Sequence, residues 1–274
     1  MAAAVAIDNF SFRYFTGAAP ALKNISLTLH ENSLCVILGP TNAGKTTLIQ
    51  AISGVLGKHH STGSATGLMI INGSSYVPLP KELQFPSVGL VLQDPFVQIS
   101  GMASTVFEEI CFTLQNLGTP KEQIDIRVRE TMNLLGIAHL AHRRPTELSG
   151  GETQRVALAS VLVAEPSIIL LDEPVTAIDS GGQAHLRAVL KALHNSSTII
   201  VTDTALEFSF GIADRYVVLA GGEMVFEGTK DQFFTRLGEF SEFLPVEKWQ
   251  YLATRINATG SHSSKSERIR RFFQ

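Results

Sequence analysis

Leu34-Cys35-Val36-Ile37-Leu38-Gly39-Pro40-Thr41-Asn42-Ala43-Gly44-Lys45-Thr46-Thr47 decides how this chain folds. An unbroken apolar run enters a glycine-bounded segment that fits G-x-x-x-x-G-K-[ST], and a helical pattern resumes behind it, so the stretch reads as strand, loop and helix. Gly39 and Gly44 let the chain curl tightly enough for backbone N–H groups to point inward at the oxygens of a triphosphate. Lys45 supplies a point charge for the β and γ phosphates and Thr46 offers a hydroxyl to Mg²⁺. The helix beginning near Thr46 turns the positive end of its dipole toward the same anion. A chance glycine-rich turn is the alternative, and the readable strand and helix on either side argue against it.

Residues 168–171, Ile-Ile-Leu-Leu, form a second uninterrupted apolar run and end in Asp172-Glu173. A strand that is hydrophobic on both faces belongs inside a parallel sheet, and open α/β sheets hold ligands beyond the carboxyl ends of their strands. Asp172 then helps to hold Mg²⁺, directly or through water, and Glu173 orients or deprotonates an attacking water. Taken alone, the acidic pair reads equally well as a solvated strand end. A phosphate loop in the same chain favours the catalytic reading.

Leu148-Ser149-Gly150-Gly151-Glu152 opens an apolar helix over residues 153–164. Its local physics is an S-x-x-E capping box, Ser149 capping the helix and Glu152 closing back on it. Together with the phosphate loop and the acidic strand end, this segment resembles the ATP-binding cassette family, over residues 5 to about 235. The resemblance implies an α/β fold: a P-loop nucleotide-binding domain with an antiparallel β subdomain and a helical subdomain. It also implies that ATP with Mg²⁺ is bound between two cassettes. Ser149, the N–H groups of Gly150 and Gly151, and the helix dipole would then grip the γ-phosphate held by a second subunit. Glu152 stands where the family more often has glutamine.

Other family elements follow in order. Gln93, in Val91-Leu92-Gln93-Asp94-Pro95, resembles the Q-loop glutamine that senses Mg²⁺ and the attacking water; otherwise it is an ordinary polar loop residue. Asp179, in Thr176-Ala177-Ile178-Asp179, resembles the D-loop residue joining the two sites of a dimer, or is simply a helix cap. Tyr14, after Phe10-Ser11-Phe12-Arg13, resembles the aromatic that stacks on adenine; packing as a strand aromatic is the other reading.

One position departs from the family. After the strand at residues 198–202 the resemblance calls for a histidine that touches the γ-phosphate, and this chain has Asp203. An acceptor that is anionic at neutral pH replaces a donor. Two like charges about 4 Å apart repel by about 4 kcal/mol at an effective dielectric of about 20, before Mg²⁺ and Lys45 offset them. The expectation is a site that binds nucleotide and turns over slowly, unless Asp203 points away from it.

At 274 residues with a formal net charge of −3, the chain has room for one substantial α/β domain and lacks the basic excess of a nucleic-acid binder. No secretory signal is read, and Glu165 and Pro166 interrupt the longest apolar stretch, so no segment reads as a membrane span. Cys35 and Cys111 read as reduced core thiols. His59-His60 and the pair His139 and His142 lack companions at ligand spacing and read as solvated surface.

Short strands at 5–14, 25–29 and 69–72 predict an antiparallel layer, and strands at 216–220 and 224–226 close the core. Residues 98–165 form the helical insertion, where Ser104 or Thr105 caps a helix over 106–117 and a second runs over 123–135. The cassette spans 1–240, followed by an extension over 241–274 with a short helix at 246–256. The extension ends in Arg268-Ile269-Arg270-Arg271-Phe272-Phe273-Gln274, a basic-aromatic end that docks a partner or membrane, or frays.

Within the family, Gln93-Asp94-Pro95-Phe96-Val97-Gln98 and the acidic helix holding Glu108 and Glu109 resemble the ATPase subunits of energy-coupling-factor importers. That likeness implies a peripheral subunit at the cytoplasmic face of a membrane. Its partners would be a second cassette, a transmembrane coupling subunit and a substrate-binding membrane subunit, for a vitamin or transition-metal ion. With histidine missing here, a heterodimer whose other cassette retains it is favoured. A soluble cassette acting as an ATP-driven clamp, and a nucleotide-binding module with negligible turnover, remain as the other readings.

Overall fold

A computed structural model describes residues 2–58 and 63–245. The chain opens with β1 (Ala3–Tyr14), β2 (Leu22–His30) and β3 (Leu34–Leu38), then α1 (Lys45–Ile52) and the short α2 (Val55–Lys58). β4 (Gly63–Ile71), β5 (Ser74–Tyr76) and β6 (Val88–Val91) follow, leading into α3 (Val106–Asn116), α4 (Lys121–Leu134) and α5 (Gly150–Leu162). The last part alternates β7 (Ile168–Asp172), α6 (Ser180–Leu193), β8 (Thr198–Asp203), α7 (Leu206–Ser209), β9 (Arg215–Ala220), β10 (Glu223–Thr229) and α8 (Lys230–Thr235).

Two sheets result. The larger runs β10-β9-β3-β8-β7-β6, parallel throughout except for β10 at its edge. The smaller is antiparallel, in the order β2-β1-β4-β5. β3 shows why an unbroken apolar strand is needed between them. Cys35 and Ile37 join the core shared with the antiparallel sheet, while Leu34, Val36 and Leu38 face the core shared with the helices. Both faces are dry, as parallel strands covered on each side require. Asn72-Gly73, both at positive φ, makes the turn from β4 to β5.

The parallel register sets the site. Leu38 lies opposite Asp203 and Asp172 opposite Thr202, so β3, β7 and β8 end together at one edge. α3 packs on α4 and α5 to make the helical unit. Thr105, rather than Ser104, caps α3, in a capping box with Glu108. β8 runs one residue past the expected strand, so Asp203 is its last member rather than the residue after it.

Burial pushes the Cys35 thiol up to about 12 and the Cys111 thiol to about 11, and neither is in a disulfide. His139 and His142 are exposed, and among the described residues no group of three or more His, Cys, Asp or Glu is placed to hold a metal. Among the same residues no helix is long and apolar enough to cross a membrane. The aromatic rings of Tyr216, Phe233 and Phe240 stack in sequence, with centroids 4.5 and 5.4 Å apart, and carry the main core on to Leu244. The expected helix at 246–256, the basic-aromatic end and His59-His60 lie outside the described residues.

Candidate nucleotide site

Residues 41–47 wrap a cavity of about 350 Å³ that Tyr14, Ala21, Gln93 and Glu173 complete. Two glycines are required to shape it. A Cβ on Gly44, where φ is +101°, would lie 2.6 Å from the Ala21 carbonyl, and one on Gly39 would lie 2.3 Å from the Leu219 carbonyl. Asn42 takes a left-handed φ of 66°, which asparagine tolerates better than most side chains. Gly44 is the N-cap of α1 and has no side chain to satisfy the first turn, which also lacks an acidic residue. The orphan N–H groups of that turn are therefore left for an anion.

Lys45 is buried, and its Nζ donates to the Gly39 and Pro40 carbonyls at 2.8 and 3.1 Å. It also pairs with Glu173 Oε1 at 3.4 Å. Gln93 Nε2 donates to Glu173 Oε2 at 3.1 Å, so the carboxylate is held between a cation and an amide at the mouth of the loop. Glu173 has a φ of 45°, a left-handed backbone that a non-glycine residue keeps only when its surroundings impose it. Its N–H is tied to the Thr202 carbonyl at 3.2 Å and to the Thr202 hydroxyl at 3.1 Å.

That hydroxyl is a residue role the sequence reading did not assign. Thr202 Oγ1 donates to Asp172 Oδ1 at 2.6 Å, so one buried side chain orients both members of the acidic pair. The signal was a hydroxyl at the end of an otherwise apolar strand. Gln98 has a similar part: its Oε1 accepts from Leu92 N at 3.1 Å and its Nε2 donates to the Leu90 carbonyl at 3.0 Å, fixing the exit of β6 into Gln93.

Of the three oxygen donors expected to hold Mg²⁺, Thr46 and Gln93 line the cavity, while Asp172 does not and is 2% exposed with Oδ1 taken by Thr202. Thr46 is exposed at the start of α1, Gln93 uses its Nε2 on Glu173 and keeps its carbonyl to accept, and Asp172 ends β7. A small hard cation that shares its shell with phosphate oxygens and water needs this kind of sparse oxygen set rather than a protein cage. Tyr14 ends β1 with its hydroxyl 3.1 Å from Thr47 Oγ1 and its ring edge-on to Phe12, so its position is tied to the loop helix.

Asp203 does not line the cavity. The residue is 6% exposed, Oδ1 accepts from Ala205 N at 3.0 Å, and Oδ2 has no hydrogen bond. Burial pushes it up to about 6, and the charge of Glu173 adds to this; the Ala205 N–H, the Ser209 hydroxyl and the Thr204 N–H favour the charged form.

Ser149, Gly150, Gly151, Glu152 and Asp179 also lie outside this cavity. Ser149 and Glu152 form the expected capping box of α5. Gly151 sits against the D-loop segment, where a Cβ would be 3.1 Å from the Ala177 carbonyl. Asp179 is the N-cap of α6, accepting from Gly182 N at 2.9 Å.

Residues 22–176 match the ABC transporter family. EcfA, an energy-coupling factor transporter ATP-binding protein of Carboxydothermus hydrogenoformans, is 38% identical over 83% of this chain and 81% of that protein. The solved structure of cbiO1 from Clostridium perfringens, described as part of the ABC transporter complex cbiONQ, aligns with a TM-score of 0.75 at 26% identity, over 88% of this chain and 94% of that one. A dimeric ATP-binding cassette in a post-hydrolysis state bound to ADP and Pi aligns with a TM-score of 0.69 at 25% identity, over 82% and 98%. The matched region takes in every residue lining the cavity except Tyr14 and Ala21, and the chain belongs to the ABC transporter family of ATP-binding proteins, with energy-coupling-factor ATPases among its relatives.

Proposed function

We propose that this chain is the ATP-hydrolysing subunit of an energy-coupling-factor type importer for a vitamin or transition-metal ion, working at the cytoplasmic face of the membrane as one of two unlike cassettes. The observation that carries the catalytic part is Glu173, held in a strained backbone between Lys45 and Gln93 at the mouth of the phosphate loop. The phosphates of ATP compete with Glu173 for Lys45, which leaves the carboxylate to take a proton from water. The water oxygen attacks the γ-phosphorus, the bond to the β-bridging oxygen breaks, and ADP and phosphate leave. Mg²⁺, held by Thr46, Gln93 and Asp172, would supply charge neutralisation on the β and γ phosphates when bound.

The partner reading draws on the surface beyond the Q-loop. Phe96, Val97 and Met102 are 62%, 68% and 71% exposed, and Phe96 borders an open groove of about 510 Å³ reaching Arg144 and Thr153. Exposed apolar side chains beside a groove suit a transmembrane coupling subunit, which would receive movement from Gln93 through residues 94–98. Capture of this chain from detergent-solubilised membranes should bring down a second cassette and hydrophobic subunits; recovery of the chain alone would overturn the importer.

Slow turnover at this chain's own phosphate loop rests on the missing donor alone, because Asp203 lies outside the cavity with Oδ1 bonded to Ala205 N and does not bring its charge to the phosphate. Asp203→His should raise phosphate release, and an unchanged or lower rate would remove the argument and with it the case for an unlike second cassette. The clamp reading keeps one point in its favour, the absence of a donor at Asp203, whose Oδ1 is taken by Ala205 N and whose Oδ2 has no hydrogen bond. Steady-state phosphate release by the captured complex separates the two.

A further inference from the structure

The turn that opens α5 carries a charge that a γ-phosphate grip does not need. Ser149 N and Ser149 Oγ both donate to Glu152 Oε2, each at 2.8 Å, and Glu152 N donates back to Ser149 Oγ at 3.4 Å. A serine hydroxyl has one proton to donate, and here it is donated to the carboxylate. The Ser149 N–H and hydroxyl hold the Glu152 carboxyl below the usual carboxylate range, with Arg143 and Arg155 adding to the effect, so it stays anionic. Arg143 Nη1 lies 3.7 Å from Glu152 Oε1 and is more than half exposed.

The same chain shows that the cap does not require a carboxylate. At α8, Thr229 N donates to Gln232 Oε1 at 2.8 Å and Gln232 N to Thr229 Oγ1 at 3.4 Å, matching the α5 distances with a neutral amide. The capping geometry at α5 therefore does not depend on the negative charge of Glu152. Toward an incoming anion it acts against the dipole of α5 and the first-turn N–H groups of Gly150 and Gly151.

We propose that Glu152 is a positioning residue that weakens closure of the two cassettes by holding the Ser149 proton and opposing the partner's γ-phosphate. This rests on the two-cassette reading above. Because Ser149 would close over the phosphate loop of the other subunit, the effect is read at the faster of the two sites, in the membrane complex captured through this chain.

In that complex, Glu152→Gln should lower the KM for ATP about two- to five-fold with kcat changed less, and lower the unfolding temperature only slightly. Ser149→Ala should raise KM more in the Glu152→Gln background than in the native one, because the amide competes less strongly for the hydroxyl. Arg143→Ala, which removes the counter-charge from an exposed position, should raise KM and keeps a test in hand if the first variant folds poorly. An unchanged or raised KM in Glu152→Gln, or an unchanged KM in Arg143→Ala, overturns the proposal alone. Absence of any second cassette from the captured complex overturns the two-cassette reading and this proposal together.

Discussion

α1 begins at Gly44 with no side chain over its first turn, whereas α5 begins at Ser149 with its donors folded into a capping box. On the two-cassette reading proposed above, both helix ends would serve the nucleotide, and their difference would follow from where the phosphate comes from. The loop around α1 takes its anion directly, so its N–H groups are left open and Lys45 and Glu173 neutralise each other beside them. The start of α5, on the same reading, would take its anion from another subunit and has to hold its shape in the meantime. Ser149 and Glu152 do that holding, at some expense to the grip.

The strongest way to break this contrast is at the open end. Glu173→Gln keeps the Gln93 and Thr202 contacts within reach while removing the base, and should cut phosphate release by about 100-fold or more with nucleotide binding retained, measured by steady-state release and by equilibrium binding. Comparable loss of both would mean that Glu173 holds the loop together rather than serving the chemistry.

Asp203 comes next. Its carboxyl is raised in the folded chain to about 6 from an ordinary 3.8, so the folded state binds that proton more tightly than the unfolded one. The contribution to stability is complete below about pH 3.8, falls as pH rises toward 6 and is flat above it. Asp203→Asn lets the Ala205 N–H keep an acceptor and removes the buried charge. It should raise stability at pH 7 by up to about 3 kcal/mol, with the gain vanishing near pH 4, read from denaturant midpoints across pH. A pH-independent gain would assign the effect to packing.

The smallest effects sharpen the comparison at the capped end. Thr105→Ala and Ser149→Ala each remove an N-cap and should each cost about 1 kcal/mol in thermal or denaturant unfolding. Only Ser149→Ala should also raise the KM for ATP in the captured complex. Equal KM changes would show that loss of a helix cap, wherever it lies, is enough to disturb the site.

Much of this was readable from the chain. Uninterrupted apolar runs placed β3 and β7 inside the parallel sheet, and S-x-x-E spacing placed the start of α5, because both signals are local. α6 was readable only at its start, through Asp179 as a helix cap, since Gly181 and Gly182 sit in its first turn and blur the pattern behind it. The part played by Thr202 depends on a strand neighbour thirty positions away in sequence, and no spacing rule reports which hydroxyl will meet Asp172. The direction of Asp203 was likewise settled by the backbone beyond β8, where Ala205 N–H claims Oδ1. Leu244 joins the core next to the aromatic stack through Phe240, and no local spacing announces that stack because Tyr216 and Phe233 meet only in three dimensions.

The setting of Lys45 has a consequence for how fast and how tightly nucleotide is taken up. At 4% exposure the ammonium has already shed its water, and two loop carbonyls and one carboxylate stand in for it. Dehydrating a lysine is a large part of what makes phosphate recognition slow and weak on an open surface. Here that step is completed during folding, so a triphosphate reaching Lys45 would exchange its oxygens for the Glu173 carboxylate.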